Sequence, residues 1–353
     1  MLRSAARSLR VAVLANRKHS IAVEAGAPPD ALAEYDADET VESIQAALQQ
    51  AGHVAFLLEA DETLLDTIRE ARPDICFNIA EGLHGDARES HVPALLEMLE
   101  IPYTGAKVLT HALSLDKAMT KRLWRDAGLP TAPFQVFPHA AMHVNADLAF
   151  PLFVKPVREG SGMGINANSI VHDEHALREQ VAWVVRTYRQ PALVEAYLPG
   201  REFTVGLIGN RLMPGEQPRS DFYDATGYRV LPVLEIDTQR GMVRGIYNAQ
   251  AKSYAIDSDS APGYLCPADI SVETEAQLAN LAVAAFEAIG GLDVARVDFR
   301  SDKDGALYLM EINTLPGLNP VVSDIVIAAR AAGIPYSTLI DEILYLALER
   351  YDI

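Results

Sequence analysis

Three short apolar runs, at 11–15, 54–58 and 75–78, alternate with two stretches of helical period, 39–52 and 62–70. Unbroken runs of four or five apolar residues mark strands covered on both faces. Apolar residues at i, i+3 and i+4 mark helices that bury one side. This βαβαβ order predicts a small parallel sheet with helices on both faces and ligands at the carboxyl ends of its strands. Those ends lead into two polar loops, 16–38 and the glycine-punctuated 78–90, which carries Glu81, His84, Arg88 and Glu89. The second loop reads equally well as an ordinary connection and as a substrate-facing one.

After a helix at 91–99 and a tight link at 101–105, the pattern changes. A helix is expected over 114–127, stopped by Gly128 and Pro130. Strands follow at 150–156, 169–171, 192–197 and 203–208, with a helix at 175–189 between them. Residues 213–267 are polar and without period, and are expected to be irregular and mobile. Arg244 and Lys252 stand out there as charges able to close over phosphates. Helices at 273–290, 322–332 and 337–351 complete the chain.

The densest chemistry lies at 293–319. Val294, Arg296, Asp298 and Arg300 share one face of a strand, and Lys303, Asp304 and Gly305 form a hairpin turn. The returning strand brings Glu311 and Asn313 beside Asp298. A solvated hairpin would alternate polar and apolar residues, whereas Glu311 and Asn313 interrupt an apolar run. Three hard oxygen ligands on two strand ends suit magnesium, which takes one or two carboxylates together with waters and nucleotide phosphates.

Other candidates are weaker alone. Lys155 closes an apolar strand and is followed by a loop with Gly160, Gly162 and Gly164, whose backbone amides can approach a phosphate. The loop matches neither the Walker nor the dinucleotide pattern. Leu198 with its flanking backbone, and Glu202, can supply an apolar slot for a base and a carboxylate for ribose hydroxyls.

Composition narrows the partners. The 353 residues suffice for two or three domains, and a net charge of −18 argues against nucleic acid. The two cysteines, Cys76 and Cys266, suggest neither a disulfide framework nor a zinc site. No apolar run approaches the ~18 residues needed to span a bilayer. A soluble cytoplasmic protein is the simplest expectation, with the three arginines of the first ten residues read as an unstructured leader.

In order and spacing, several stretches together resemble the ATP-grasp superfamily, and within it the D-alanine–D-alanine ligase family. They are residues 103–105, 113–117, 153–161, 194–205, 251–252, 266–268, 295–298 and 311–317. The resemblance implies an ATP-grasp α/β fold of three α/β domains, with an N-terminal parallel sheet. The expected divisions are 1–105 on the substrate side, 106–200 as the central subdomain, and 201–353 with the lid and metal site. It implies ATP and two Mg2+ ions, with Mn2+ able to substitute, small amino-acid-like substrates, and a homodimer as one assembly.

By the same resemblance Lys117 and Lys155 contact phosphates, and Glu195, Leu198 and Glu202 the adenosine. Ser161 belongs to a loop over the reacting centre, and Lys252 to the lid. Asp298, Glu311 and Asn313 hold the metals, and Arg296 stabilises the intermediate. The implied reaction is carboxylate–amine ligation through an acyl phosphate. A ligase of the same family making some other dipeptide or amide is the alternative, as is a nucleotide-binding regulator without turnover. Departures fall on the amino-acid pockets. The first loop offers 16–20 and Glu24 where the family has a glutamate and serine, Ser253 stands for a tyrosine, and Val322 and Ser323 stand where the family receives a carboxylate. D-alanine is therefore expected to be a poor substrate in at least one position.

Overall fold

The computed structural model describes residues 7–23, 25–240, 245–250 and 262–353. Strands β1 (Arg10–Ala15), β2 (Val54–Glu59) and β3 (Ile75–Asn78) form a parallel sheet in the order β2-β1-β3. Central β1 is covered on both faces, which explains its unbroken apolar run. Helix α1 (Asp38–Gln50) buries Ile44 and Leu48 against one face. Helices α2 (Leu64–Ala71) and α3 (His91–Met98) cover the other through Leu64, Ile68 and Leu96.

The single helix expected over 114–127 is two, α4 (Val108–Leu115) and α5 (Lys117–Asp126). Asp116 takes extended backbone between them, and its carboxylate accepts the Met119 N–H at 2.9 Å, capping α5. That cap places Lys117 at the first position of a helix.

A second, antiparallel sheet contains β4 (Phe134–Phe137), β5 (Leu152–Pro156), β6 (Ile170–Val171) and β7 (Ala192–Ala196), in the order β4-β7-β5-β6. Helix α6 (Glu174–Tyr188), capped by Asp173, packs Leu177, Val181 and Val184 onto it.

The third sheet contains β8 (Glu202–Gly209), β9 (Tyr228–Val230), β10 (Leu234–Asp237), β11 (Gly263–Leu265), β12 (Val294–Ser301) and β13 (Leu307–Asn313). Its order is β11-β10-β8-β12-β13, with β9 beside β8. Strands β9 to β11 correct the reading of 213–267 as wholly irregular. At three or four residues each they are too short to show a period. Helix α7 (Val272–Ala288) covers one face, while α8 (Asp324–Ala331) lies on the other, against Ile208 and Leu231. Helix α9 (Tyr336–Arg350) joins the ends of the chain, since its Leu339 and Ile343 share a core with Ile44 and Leu48 of α1. No described helix is long and apolar enough to cross a membrane.

One buried carboxylate ties these parts together. Asp293, fully buried before β12, accepts from the Gly105 N–H at 2.9 Å, Asn210 Nδ2 at 2.9 Å and Arg350 at 2.8 Å. Charge-assisted hydrogen bonds of this kind are the strong ones, and they fix the start of β12 relative to the first sheet.

Candidate active site

Strands β12 and β13 pair with Asp298 opposite Glu311 and Arg296 opposite Asn313. Asp298 accepts from Thr204 Oγ1 at 2.6 Å and from Arg296 at 2.9 and 2.8 Å. Asn313 Nδ2 lies 3.4 Å from the same carboxylate, and Glu311 is 3.5 Å from Lys117 Nζ. No group of three or more His, Cys, Asp or Glu is gathered for a metal among the described residues. Two carboxylates and an amide remain, a donor set that fits magnesium and its phosphate ligands rather than a dedicated protein cage.

Two pockets meet at this hairpin, and both are lined by Lys117 and Glu311. The first is an apolar slot between the second and third sheets, walled by Phe153, Met163, Ile165, Leu198 and Met310. Lys155, Glu202 and Asp298 supply its polar positions, and Arg300 holds Glu202 at 3.4 Å. The second cavity opens at the carboxyl ends of the parallel sheet and is also lined by Ser161, Arg296 and Asn313. Ser161 sits in the glycine loop with a positive φ of 50°, a conformation that costs a non-glycine residue about 1 kcal/mol or more.

Glu195 needs correction. Expected at the adenosine, it is fully buried behind the slot and absent from its lining. Its carboxylate lies 2.8 Å from Lys155 Nζ and 2.9 Å from Lys121 Nζ, both nearly buried. Burial alone would raise its pKa, but Lys121 and Lys155 overcome that and bring it down to about 2. Lys121 also donates to Thr131 Oγ1 at 2.8 Å and to the Leu309 carbonyl at 3.2 Å. Glu195 thus fixes the two lysines, and Lys155 still reaches the slot.

Arg296 is likewise held from two sides, by Asp298 at 2.8 Å and Asp324 at 3.2 Å. Burial works against its charge, but the two carboxylates more than offset it and keep the guanidinium above its ordinary range. Nothing in the sequence pattern singled out Asp324 or Lys121; each comes from a helix whose spacing only marks a buried face.

Glu24 lies outside the described residues, and two other carboxylates of the long first loop, Asp30 and Glu34, have partners in the glycine loop. Glu34 pairs with Arg88 at 2.5 Å and accepts from the Gly160 amide. Asp30 accepts from the Gly164 amide at 2.9 Å and from Tyr188. Arg88 donates to the Arg158 carbonyl at 2.8 Å and pairs with Glu159 at 3.2 Å. The loops at 16–38 and 78–90 therefore hold the glycine loop against the cavity. Asp36, Glu81 and Glu89 line that cavity too. Arg244, Lys252 and Ser253 lie outside the described residues. Val322 is exposed, and Ser323 accepts the Asn319 N–H at 2.9 Å, so neither lines the cavity.

A family model described as D-ala D-ala ligase C-terminus matches residues 123–345. The chain belongs to the D-alanine–D-alanine ligase family. Within that family, the D-alanine–D-alanine ligase of Nitrosococcus oceani is 34% identical over 310 residues, 87% of each chain. That of Pelotomaculum thermopropionicum is 32% identical over 321 residues, 88% of this chain and 92% of the relative. An uncharacterized protein, y4sG, from Sinorhizobium fredii is 37% identical over 320 residues, 88% of both. A crystal structure of D-alanine–D-alanine ligase from Bacillus anthracis complexed with ATP superposes with a TM-score of 0.71. It covers 98% of this chain and 99% of its own at 22% identity. The fold is ATP-grasp, and the protein is an ATP-dependent ligase of the kind that forms carbon–nitrogen bonds.

Proposed function

We propose that the protein joins two small amino-acid-like molecules, activating the carboxylate of one as an acyl phosphate and transferring it to the amine of the other. The observation that carries this is the junction of the two pockets at Lys117 and Glu311. A nucleotide lying in the apolar slot directs its terminal phosphate toward a cavity large and polar enough for substrates. In the first step a carboxylate oxygen attacks the γ-phosphorus, the bond to the bridging oxygen breaks, and ADP leaves. In the second the amine nitrogen attacks the acyl carbon, phosphate leaves and the nitrogen loses a proton.

Leu198 and Glu202 take the adenosine in this reading, and Lys117 and Lys155 the phosphates. Asp298, Glu311 and Asn313 hold magnesium, which when bound neutralises charge on the phosphate oxygens. Arg296, pre-set by Asp298 and Asp324, faces the cavity where negative charge develops on the acyl group. Such preorganised charge costs no rearrangement during reaction. Ser161 and the glycine loop exclude water from the acyl phosphate. D-alanine, the substrate named for the relatives, is one candidate, and a homodimer is the assembly to test by light scattering.

Hydroxylamine trapping tests the first step. With ATP, magnesium and the carboxylate substrate alone, a hydroxamate should form in proportion to ADP. ADP formation with no trapped acyl group would count against an acyl phosphate.

A further inference from the structure

Lys117 and Glu311 meet where the two pockets join, 3.5 Å apart, so whatever sets that distance sets the junction. They come from different supports. Glu311 lies near the end of β13, and Lys117 opens α5 directly after the extended Asp116 that separates it from α4. On one side of the junction Lys121 of α5 donates to the Leu309 carbonyl at 3.2 Å, two residues before Glu311.

On the other side, three buried side chains tie α4 to the residue that follows Asn313. Thr314 Oγ1 lies 2.8 Å from Ser114 Oγ and 3.0 Å from His111 Nδ1. Ser114 Oγ also donates to the His111 carbonyl at 3.1 Å, which closes the three residues into a ring. His111 is 0%, Thr314 1% and Ser114 5% exposed, and buried groups that lose such a partner stay unpaired. Burial also brings the imidazole down to about 4. It is therefore neutral at pH 7, with one donor and one acceptor nitrogen whichever tautomer it takes. Glu89 is 3.9 Å from Nδ1, beyond hydrogen-bond distance, which leaves Thr314 as the nearer partner.

Glu311 and Asn313 are thus held between Leu309 and Thr314, and Lys117 between Lys121 and Ser114. Opening one tie lets Lys117 turn at Asp116. Ser114 and Thr314 line the second cavity, whereas His111 lines neither pocket. The imidazole can therefore act on a ligand only through the other two.

We propose that His111 is a positioning residue. Through Thr314 and Ser114 it sets the distance from Lys117 to Glu311 and Asn313, and so the grip on the terminal phosphates of a magnesium nucleotide. This rests on the reading of Lys117 as a phosphate contact and of Glu311 and Asn313 as metal ligands.

Calorimetry tests it without turnover. The full chain is titrated with magnesium adenylyl imidodiphosphate and, separately, with AMP, which lacks the β- and γ-phosphates. His111→Leu removes both ring nitrogens, while His111→Asn keeps a polar atom where Nδ1 stands. His111→Leu should weaken the magnesium nucleotide about tenfold or more and AMP less than about twofold, since small misplacements are costly where groups must be aligned. His111→Asn should come within about threefold of the native chain for both. His111→Ala serves for the first variant if His111→Leu does not fold. Equal weakening of both nucleotides marks a merely structural role and would overturn the proposal, as would no weakening of either or no recovery in His111→Asn. Lys117→Ala separates the two ideas. If it binds the magnesium nucleotide as tightly as the native chain does, the phosphate reading fails and the inference with it. If it weakens binding and the His111 variants do not, only the inference fails.

Discussion

Replacing Glu195 by glutamine removes the anion from a buried lysine–carboxylate–lysine triad at almost constant shape. In the native chain its carboxyl titrates at about 2 rather than 4.5, which through linkage is worth about 3 kcal/mol at neutral pH. The substitution also leaves Lys121 and Lys155 facing a neutral amide, and breaking a buried pair costs about 3–5 kcal/mol. Lys121 keeps Thr131 and the Leu309 carbonyl, so a loss of about 3–4 kcal/mol is expected at pH 7. That is a large part of a typical stability of about 5–15 kcal/mol. The sign with pH follows from a depressed folded-state pKa. The native triad contributes fully above pH 4.5 and loses that contribution as pH falls toward 2, so the gap between variant and native should shrink over that window. Trp124 lies buried on α5, the helix that carries Lys121, and its fluorescence in urea titrations at pH 7 and pH 3 reads the difference. An unchanged midpoint at pH 7, or an equal loss at both pH values, would refute the reasoning.

Other substitutions probe the site. Glu311→Gln should lower turnover about 10²-fold or more at saturating magnesium, because charge and positioning supply most of phosphoryl-transfer catalysis; steady-state kinetics check it. Arg296→Ala should reduce kcat by about 10²-fold while leaving the KM for ATP within a few-fold. Gly162 has a φ of +71°, and a Cβ there would sit 2.7 Å from Asn248 Cα. Gly162→Ala should therefore raise the KM for ATP, and hydrogen exchange in the glycine loop should quicken.

The hairpin was legible because its signal is local. Asp298, Glu311 and Asn313 sit on two strands joined by a short turn, and polar residues interrupting an apolar run betray them. The parallel sheet was legible for a similar reason, since β1 and β3 are buried, β2 is partly buried, and their helices are periodic. The break between α4 and α5 was not, because Leu115 and Lys117 continue a plausible helix and only the Asp116 cap interrupts it. Strands β9 to β11 are too short to carry a pattern. Glu195 misled because β7 is covered on both faces, so alternation cannot say which way its carboxylate points. Lys121 and Glu34 act through Glu195 and Arg88, more than fifty residues away in the chain, and Asp324 through Arg296 on another element, contacts that no spacing rule encodes.

The claim that this chain is a ligase meets its most direct test in one stoichiometric measurement. The protein, ATP and magnesium are incubated with amino-acid pairs of both chiralities, basic and neutral, while released phosphate is measured and products are weighed by mass spectrometry. The expected result is one phosphate released for each condensed product, whose mass is that of the two substrates less one water, with both substrates required. Phosphate release that does not depend on the pair, or nucleotide binding with no condensed product from any pair, would contradict it.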